Sequence, residues 1–173
     1  GMLSEGRWLD RLVLSAKYLR DDAVLVLMGP KQQPWWDDNI GPLLSEPDLV
    51  NRLFILENVP HEMVSSFAHA AAAGVILYDD SVLNNVFCEP GKLSDFVHVG
   101  VPVIAPAFPS LKPMVEGNAL GLTFSDYTSE GIAKTINELL TLPTSHFADS
   151  LRKASRFMTW EAQWETLRKA ILG

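Results

Sequence analysis

Residues 89–106 read Glu-Pro-Gly-Lys-Leu-Ser-Asp-Phe-Val-His-Val-Gly-Val-Pro-Val-Ile-Ala-Pro, and their pattern gives the clearest indication of the fold class. Its Pro-Gly pair opens a helical pattern over 92–99, which Gly100 ends. The apolar run at 101–105 then predicts a buried strand. An equally apolar run at 75–78 precedes the segment. Two apolar strands on either side of a loop and a short helix indicate a parallel α/β sheet.

The start of this predicted helix is a candidate anion site. Parallel α/β sheets bind their ligands beyond the carboxyl ends of the strands, near helix N-termini. The first N–H groups of a helix have no partner within the helix and carry partial positive charge. We therefore expect the amides of Gly91, Lys92 and Leu93 to receive a phosphate. Asp95, one turn further on, is placed to accept hydrogen bonds from a sugar hydroxyl.

The rest of the chain continues the alternation of strands and helices. Apolar runs predict further strands at 23–28, 53–56 and 120–124. Amphipathic patterns predict helices that begin near residues 5, 60, 129, 145 and 159. We predict a three-layer αβα fold with a Rossmann-like parallel sheet of about five strands. Helices cover both faces of such a sheet, because crossovers between parallel strands are right-handed.

Several side chains have predicted places in these helices. Ser4 and Thr159 are the expected N-caps of the first and last helices. The side chains expected to be buried by the helices that begin near residues 60 and 159 are Met63, Val64, Phe67, Trp160 and Trp164. Trp35 and Trp36 lie in a proline-rich loop. They either stack on a base or an acceptor sugar, or pack this loop against the sheet.

Composition limits the classes of protein and of partner. The 173 residues, 47 % of them apolar, with a mean hydropathy of +0.10, indicate one globular domain over 1–173. The formal charge of −7 and the scattered Lys and Arg residues argue against a nucleic acid partner. No apolar run is long enough to form a transmembrane segment, and no signal peptide opens the sequence. With a single cysteine, Cys88, these features predict a cytoplasmic protein.

The segment 89–96, followed by Gly-Val-Pro-Val-Ile at 100–104, resembles the donor-site segment of GT-B glycosyltransferases. In that family a P-x-K-L-x-E-[YF] stretch precedes a G-x-P-V-[IV] strand. The resemblance implies that the amides around Lys92 and Leu93 hold the donor diphosphate and that the acid Asp95 holds the ribose hydroxyls. Many members carry a second Glu eight residues before this acid, close to the donor sugar. Phe87 occupies that position here.

The resemblance adds two candidates for donor binding. Arg7 falls near the position where family members place a basic residue on the donor diphosphate. Its alternative role is that of a solvated helix residue. Glu89 is close to the position of the second family Glu but out of register with it.

The function that the resemblance implies is that of a glycosyltransferase-like domain binding a nucleotide diphosphate sugar. Its parent reaction transfers the sugar to a hydroxyl acceptor in polysaccharide or glycoconjugate synthesis, with no metal or other cofactor. Two alternatives remain open, namely a non-catalytic fragment that binds a nucleotide or a partner, and a sugar-nucleotide epimerase-like domain. Whether the chain is an enzyme stays open too, and we expect it to be inactive in isolation.

The resemblance covers only the second, carboxyl-terminal half of a GT-B enzyme, and without its first strand. In the usual strand order that strand is central, so its loss should matter. Neighbouring strands either close up, or a second chain covers the gap. We therefore expect the chain to need a missing N-terminal half or to form a homodimer.

Overall fold

The computed structural model describes residues 1–57 and 59–172. Its strands are β1 (Leu25–Met28), β2 (Leu53–Leu56), β3 (Gly74–Val75), β4 (Val103–Pro106) and β5 (Gly121–Phe124). Its α-helices are α1 (Leu9–Ser15), α2 (Trp35–Asn39), α3 (His61–His69), α4 (Leu83–Phe87), α5 (Gly91–His98), α6 (Leu111–Val115), α7 (Ser129–Thr141), α8 (Ala148–Phe157) and α9 (Trp160–Leu172). The predicted α/β class is confirmed.

Strand β4 is the centre of the core. It pairs in parallel with β3 on one side and with β5 on the other. Its residues Val103, Ile104 and Ala105 have no exposed surface. Helices α5 and α6 pack against it, while α7 packs against β5 and α1. A strand buried on both faces by helices is the arrangement that its continuous apolar run predicts.

The other two strands form a separate parallel pair. Leu25 of β1 lies opposite Leu53 of β2, and neither strand pairs with β3 in the part of the chain that the structure describes. The parallel direction and the number of strands agree with the prediction, but the sheet is in two pieces. Of the two expected arrangements, the closing up of neighbouring strands is therefore not observed among the described residues.

The first six residues run between the ends of the two sheets. The amide of Leu3 donates to the carbonyl of Pro30, just beyond β1, at 2.8 Å. The carbonyl of Gly6 accepts from the amide of Asp79, just beyond β3, at 3.0 Å. The two sheets are thus joined at their carboxyl ends by a short segment.

One face of the β1–β2 pair is bare, so the prediction that 23–28 is a buried strand is only half correct. Val26 lies opposite Phe54, and both side chains are about half exposed. Helix α3, which follows β2, packs against α5 and has no buried residue. The predicted burial of Met63 and Phe67 is therefore wrong, because α3 does not cover this face.

The prediction that Trp160 and Trp164 pack in the core is also wrong. Their exposed fractions are 72 % and 46 %, and their rings lie against each other, with centres 6.1 Å apart and planes at 21°. Helix α9 contacts α8, and no described element covers the two rings.

The predicted N-cap is confirmed for the last helix and is wrong for the first. Thr159 caps α9, since its hydroxyl oxygen accepts from the amide of Ala162 at 3.2 Å. Ser4 does not cap α1, which begins only at Leu9 with Trp8 as its N-cap. The hydroxyl of Ser4 instead accepts from Nε of Arg7 at 3.1 Å.

The close approach of β5 to β4 predicts the effect of adding one methyl group. A Cβ at Gly121 would overlap the carbonyl of Val103 in the neighbouring strand. We expect Gly121→Ala to lower the free energy of unfolding by at least about 2 kcal/mol, because backbone atoms cannot move aside without breaking the pairing. Gly41→Ala is the control, since its Cβ would lie 3.8 Å from the nearest atom. Equal urea midpoints for the two variants would contradict this account of β4 and β5.

Candidate functional site

The start of α5 is held rigidly and is open on its outer side. Leu93 and Val97 are buried and fix the helix against the core. Pro90, its N-cap residue, is also buried. A Cβ placed on Gly91 would meet no atom within 4 Å, so there is free space at the first turn. A ligand can approach the backbone here without displacing a side chain.

Two of the three predicted amides are available to a ligand. The amides of Gly91 and Lys92 donate to no carbonyl in residues 1–57 and 59–172. The amide of Leu93 donates to the carbonyl of Pro90 at 2.9 Å. The prediction of a free Leu93 amide is therefore wrong, because a tight first turn already satisfies it. The Leu93 side chain contributes burial instead.

The structure brings two predicted basic residues together. The guanidinium carbon of Arg7 lies 5.0 Å from the centre of the Tyr78 ring, and Nζ of Lys92 lies 5.5 Å from the same ring centre. Both distances are within the range of cation–π attraction. Tyr78 had no predicted role. Its only signal in the sequence is its place at the carboxyl end of an apolar run.

The electrostatics of this cluster favour an anion. Burial, followed by the nearby charge of Arg7, lowers the pKa of Lys92 from its ordinary 10.5 to about 8, while Asp95 opposes the shift. The pKa of the Gly1 amino group is lowered as well, by burial and by the charges of Lys92 and Arg7. A cation whose pKa is lowered by a neighbouring cation lacks a full set of counter-charges. A bound anion would relieve this repulsion.

The two predicted acids have different surroundings. Asp95 is exposed and close enough for its charge to act on Lys92. Glu89 is also exposed, but it makes no ion pair or hydrogen bond with the described residues. The structure therefore brings Arg7, Lys92 and Asp95 together at the start of α5 and leaves Glu89 outside their contacts. Phe87, at the position of the second family Glu, is largely exposed.

Other polar side chains near the site have structural partners. Asp79 accepts hydrogen bonds from the hydroxyl of Ser81 at 2.6 Å and from the side-chain amide of Asn85 at 3.1 Å, which shapes the loop before α4. The Cys88 thiol lies 3.5 Å from the carbonyl of Asn85. No group of three His, Cys, Asp or Glu side chains converges as a metal site among residues 1–57 and 59–172.

The burial of the two tryptophans in the proline-rich loop favours packing of this loop over stacking on a ligand. Trp36 is buried in the core, and Trp35 is partly buried against it. Nζ of Lys31 lies 5.0 Å from the centre of the Trp36 ring and also forms an ion pair with Glu57. This loop is thus fixed by apolar burial and by a cation over an aromatic ring.

The fold matches solved structures of glycosyltransferases. HepE of Anabaena, in complex with UDP-glucose, is 17 % identical with a TM-score of 0.77 over 98 % of this chain and 47 % of that chain. Sucrose-phosphate synthase of Thermosynechococcus elongatus is 20 % identical, with a TM-score of 0.74 over 98 % of this chain and 43 % of that chain. WaaG, a glycosyltransferase involved in lipopolysaccharide biosynthesis, is 15 % identical, with a TM-score of 0.68 over 100 % of this chain and 45 % of that chain.

The fold is that of a Rossmann-like GT-B domain. The chain spans less than half the length of the three GT-B proteins above. No family model and no curated protein sequence matches it. None of the described helices combines the length and the apolar character that crossing a bilayer needs.

The shifted pKa of Lys92 predicts how stability depends on pH. In the unfolded chain this lysine has its ordinary pKa of 10.5, whereas in the folded chain its pKa is about 8. Between these values the unfolded state binds more protons, so Lys92 makes stability rise with pH in this window. We expect the urea midpoint of the wild type to gain more between pH 8 and pH 10.5 than that of Lys92→Met.

Exposed Lys153 provides the matched control for this measurement. Lys153→Met removes the same charge from the surface of α8 and should retain the rise of the wild type. If Lys92→Met keeps the full rise as well, then Lys92 is not desolvated and the electrostatic description of the cluster is wrong.

Proposed function

We propose that this chain is the donor-binding half of a GT-B-type glycosyltransferase and binds a nucleotide diphosphate sugar at the start of α5. The observation that carries the proposal is the cluster of Arg7, Lys92 and Asp95 beside the open amides of Gly91 and Lys92. It occurs in a fold shared with HepE, which has been crystallised with UDP and with UDP-glucose.

The diphosphate is assigned to the positive part of the cluster. The amides of Gly91 and Lys92 donate to no carbonyl among the described residues and carry partial positive charge at the first turn, where a Cβ on Gly91 would find open space. The side chains of Arg7 and Lys92 add two cations next to Tyr78. Arginine matches phosphate oxygens with two parallel donors, whereas lysine acts as a point charge.

The ribose is assigned to Asp95. This exposed carboxylate lies one turn after Gly91 on α5, so it is on the same face of the helix as Gly91. An ionised carboxylate accepts two hydrogen bonds from neighbouring hydroxyls, which is the pattern that a ribose presents. The segment thus binds both the charged and the polar part of a nucleotide.

The proposed chemistry is glycosyl transfer to a hydroxyl acceptor, in polysaccharide or glycoconjugate synthesis. When the bond between sugar and diphosphate breaks, negative charge grows on the leaving phosphate. Fixed amides and cations at that place stabilise the transition state more than the ground state. Arg7, Lys92 and the α5 amides would do this without a metal ion, and we propose none.

The acceptor site and any catalytic base are proposed to come from outside this chain. The chain spans less than half of the GT-B proteins that it resembles in fold, so a separate N-terminal half or a second copy would complete the cleft. The cytoplasm is the proposed compartment, since a single Cys suits a reducing environment.

One observation favours the second candidate, a domain that binds the nucleotide without turnover. An exposed phenylalanine, Phe87, stands where the resemblance expects an acid close to the donor sugar. The phenylalanine side chain has no ionisable group, so it cannot take part in proton transfer or stabilise a cation by a formal charge. Both candidates share the nucleotide site, so binding is tested first and transfer afterwards.

Isothermal titration with UDP, GDP and their sugar conjugates tests the site. We expect saturable binding that favours one base and is weakened about 10- to 100-fold by Asp95→Ala, since a hydrogen bond to a charged group contributes roughly 1.5–3 kcal/mol. Asp48→Ala, which removes a carboxylate from the 3₁₀ turn Pro47–Leu49, is the control and should bind as the wild type does.

Charge reversal separates the diphosphate subsite from a general effect of net charge. We expect Arg7→Glu to abolish binding at submillimolar nucleotide, because it replaces an attraction with a repulsion beside the phosphates. Lys134→Glu on α7 changes the net charge equally at an exposed position and should have little effect. If both reversals act alike, or if no nucleotide binds at millimolar concentration, the proposed site is wrong.

A further inference from the structure

The ring of Tyr78 is the meeting point of two cations from distant parts of the chain. The guanidinium carbon of Arg7 lies 5.0 Å from the ring centre, and Nζ of Lys92 lies 5.5 Å from it. Arg7 precedes α1, whereas Lys92 is on α5. Within the described part of the chain, no other aromatic ring has two cations beside it. This arrangement is therefore specific to the candidate site.

The backbone fixes Tyr78 in this place. Leu77, directly before it, is buried, and the Tyr78 ring is itself partly buried against the core. The amide of the next residue, Asp79, donates to the carbonyl of Gly6 at 3.0 Å. Since Gly6 directly precedes Arg7, this hydrogen bond also brings the backbone of Arg7 close to the ring.

Neither cation forms an ion pair with an acid. No carboxylate of the described residues is paired with Arg7 or Lys92. Nε of Arg7 donates to the neutral hydroxyl of Ser4 at 3.1 Å. Burial and then the charge of Arg7 lower the pKa of Lys92, and only the exposed Asp95 acts in the other direction. The Tyr78 ring is therefore the one group that both cations contact, and its attraction opposes their repulsion.

An aromatic ring can hold a cation without neutralising it. The attraction comes from the electrons of the ring face, which carry no formal charge. A carboxylate in the same place would form charge-assisted hydrogen bonds with the N–H donors, and it would compete with a phosphate for them. The arrangement around Tyr78 thus keeps both cations ordered and leaves their charge available to an anion.

We propose that Tyr78 is a positioning residue of the donor site, which holds Arg7 and Lys92 ready for the diphosphate. This inference rests on the function proposed above. A long side chain that is already ordered loses less conformational freedom when its ligand binds. The ring therefore contributes to affinity without touching the nucleotide, and the hydroxyl group of Tyr78 has no part in this role.

The ionisation of Lys92 tests the contact without any nucleotide. We expect an NMR titration of this side chain to give a pKa of about 8 in the wild type and in Tyr78→Phe, which keeps the ring. In Tyr78→Leu the ammonium group is no longer held beside Arg7. It should move into solvent toward Asp95, and its pKa should rise toward 10.5.

A pKa of Lys92 that does not rise in Tyr78→Leu would overturn the proposal. Circular dichroism shows whether this variant folds. Tyr78→Met, which also lacks the ring, takes its place if it does not.

Isothermal titration with UDP and GDP tests the effect on the site. We expect Tyr78→Leu to weaken the tighter-binding nucleotide about tenfold, because two long side chains must then be ordered on binding. Tyr78→Phe should bind as the wild type does. In a Lys92→Met background the loss caused by Tyr78→Leu should shrink to about threefold, since only Arg7 remains to be positioned. A ring that merely supports the fold would cost the same in both backgrounds.

Lys31→Met provides the matched control background. Nζ of Lys31 lies over the ring of Trp36 and not over that of Tyr78, so the full loss in Tyr78→Leu should persist there. Equal losses in the Lys92→Met and Lys31→Met backgrounds would contradict the positioning role, as would a Tyr78→Phe variant that binds as weakly as Tyr78→Leu. If the wild type binds neither nucleotide, the proposed function fails, and the NMR titration still decides whether Tyr78 holds the cations.

Discussion

The parallel pairing of β4 with β3 and β5 is the interaction on which the candidate site depends. Strand β4 has no exposed surface over Val103–Ala105, and α5 reaches the sheet through Leu93 and Val97, which are buried beside it. The first turn of α5 is therefore fixed by core packing and not by the ligand it is proposed to bind. A preorganised turn keeps its amides in place before binding, so little conformational entropy is lost when an anion arrives.

One of the two cations at this turn, Arg7, comes from a distant part of the sequence. Arg7 directly follows the segment that joins the two sheets, and its guanidinium group and the Lys92 ammonium group both lie near the ring of Tyr78, in the chain segment that follows β3. The hydrogen bond from Asp79 to the carbonyl of Gly6 holds this segment near the site. The cluster is thus a product of tertiary structure, and the burial that positions Lys92 is also what lowers its pKa.

The sequence correctly predicted the elements that local patterns determine. Strand β4 and helix α5 follow from an apolar run and from a Pro-Gly start, and Asp95 follows from its place one turn later. Two features depended on contacts distant in sequence and had no local signal. The contact of Tyr78 with Arg7 arises from the tertiary fold, and Phe67 and Trp164 are exposed because no described element covers them. The hydrogen bond from the Leu93 amide to the Pro90 carbonyl is local, but the sequence pattern does not show how tightly the first turn closes.

The split of the sheet has a consequence for cooperativity. A two-stranded sheet with one bare face is marginal by itself, whereas β3, β4 and β5 share a core with several helices. The two parts should therefore open with different free energies, as separate foldons. Amide hydrogens of β1 and β2 would exchange with solvent sooner than those of β4, and no single melting temperature would describe the molecule.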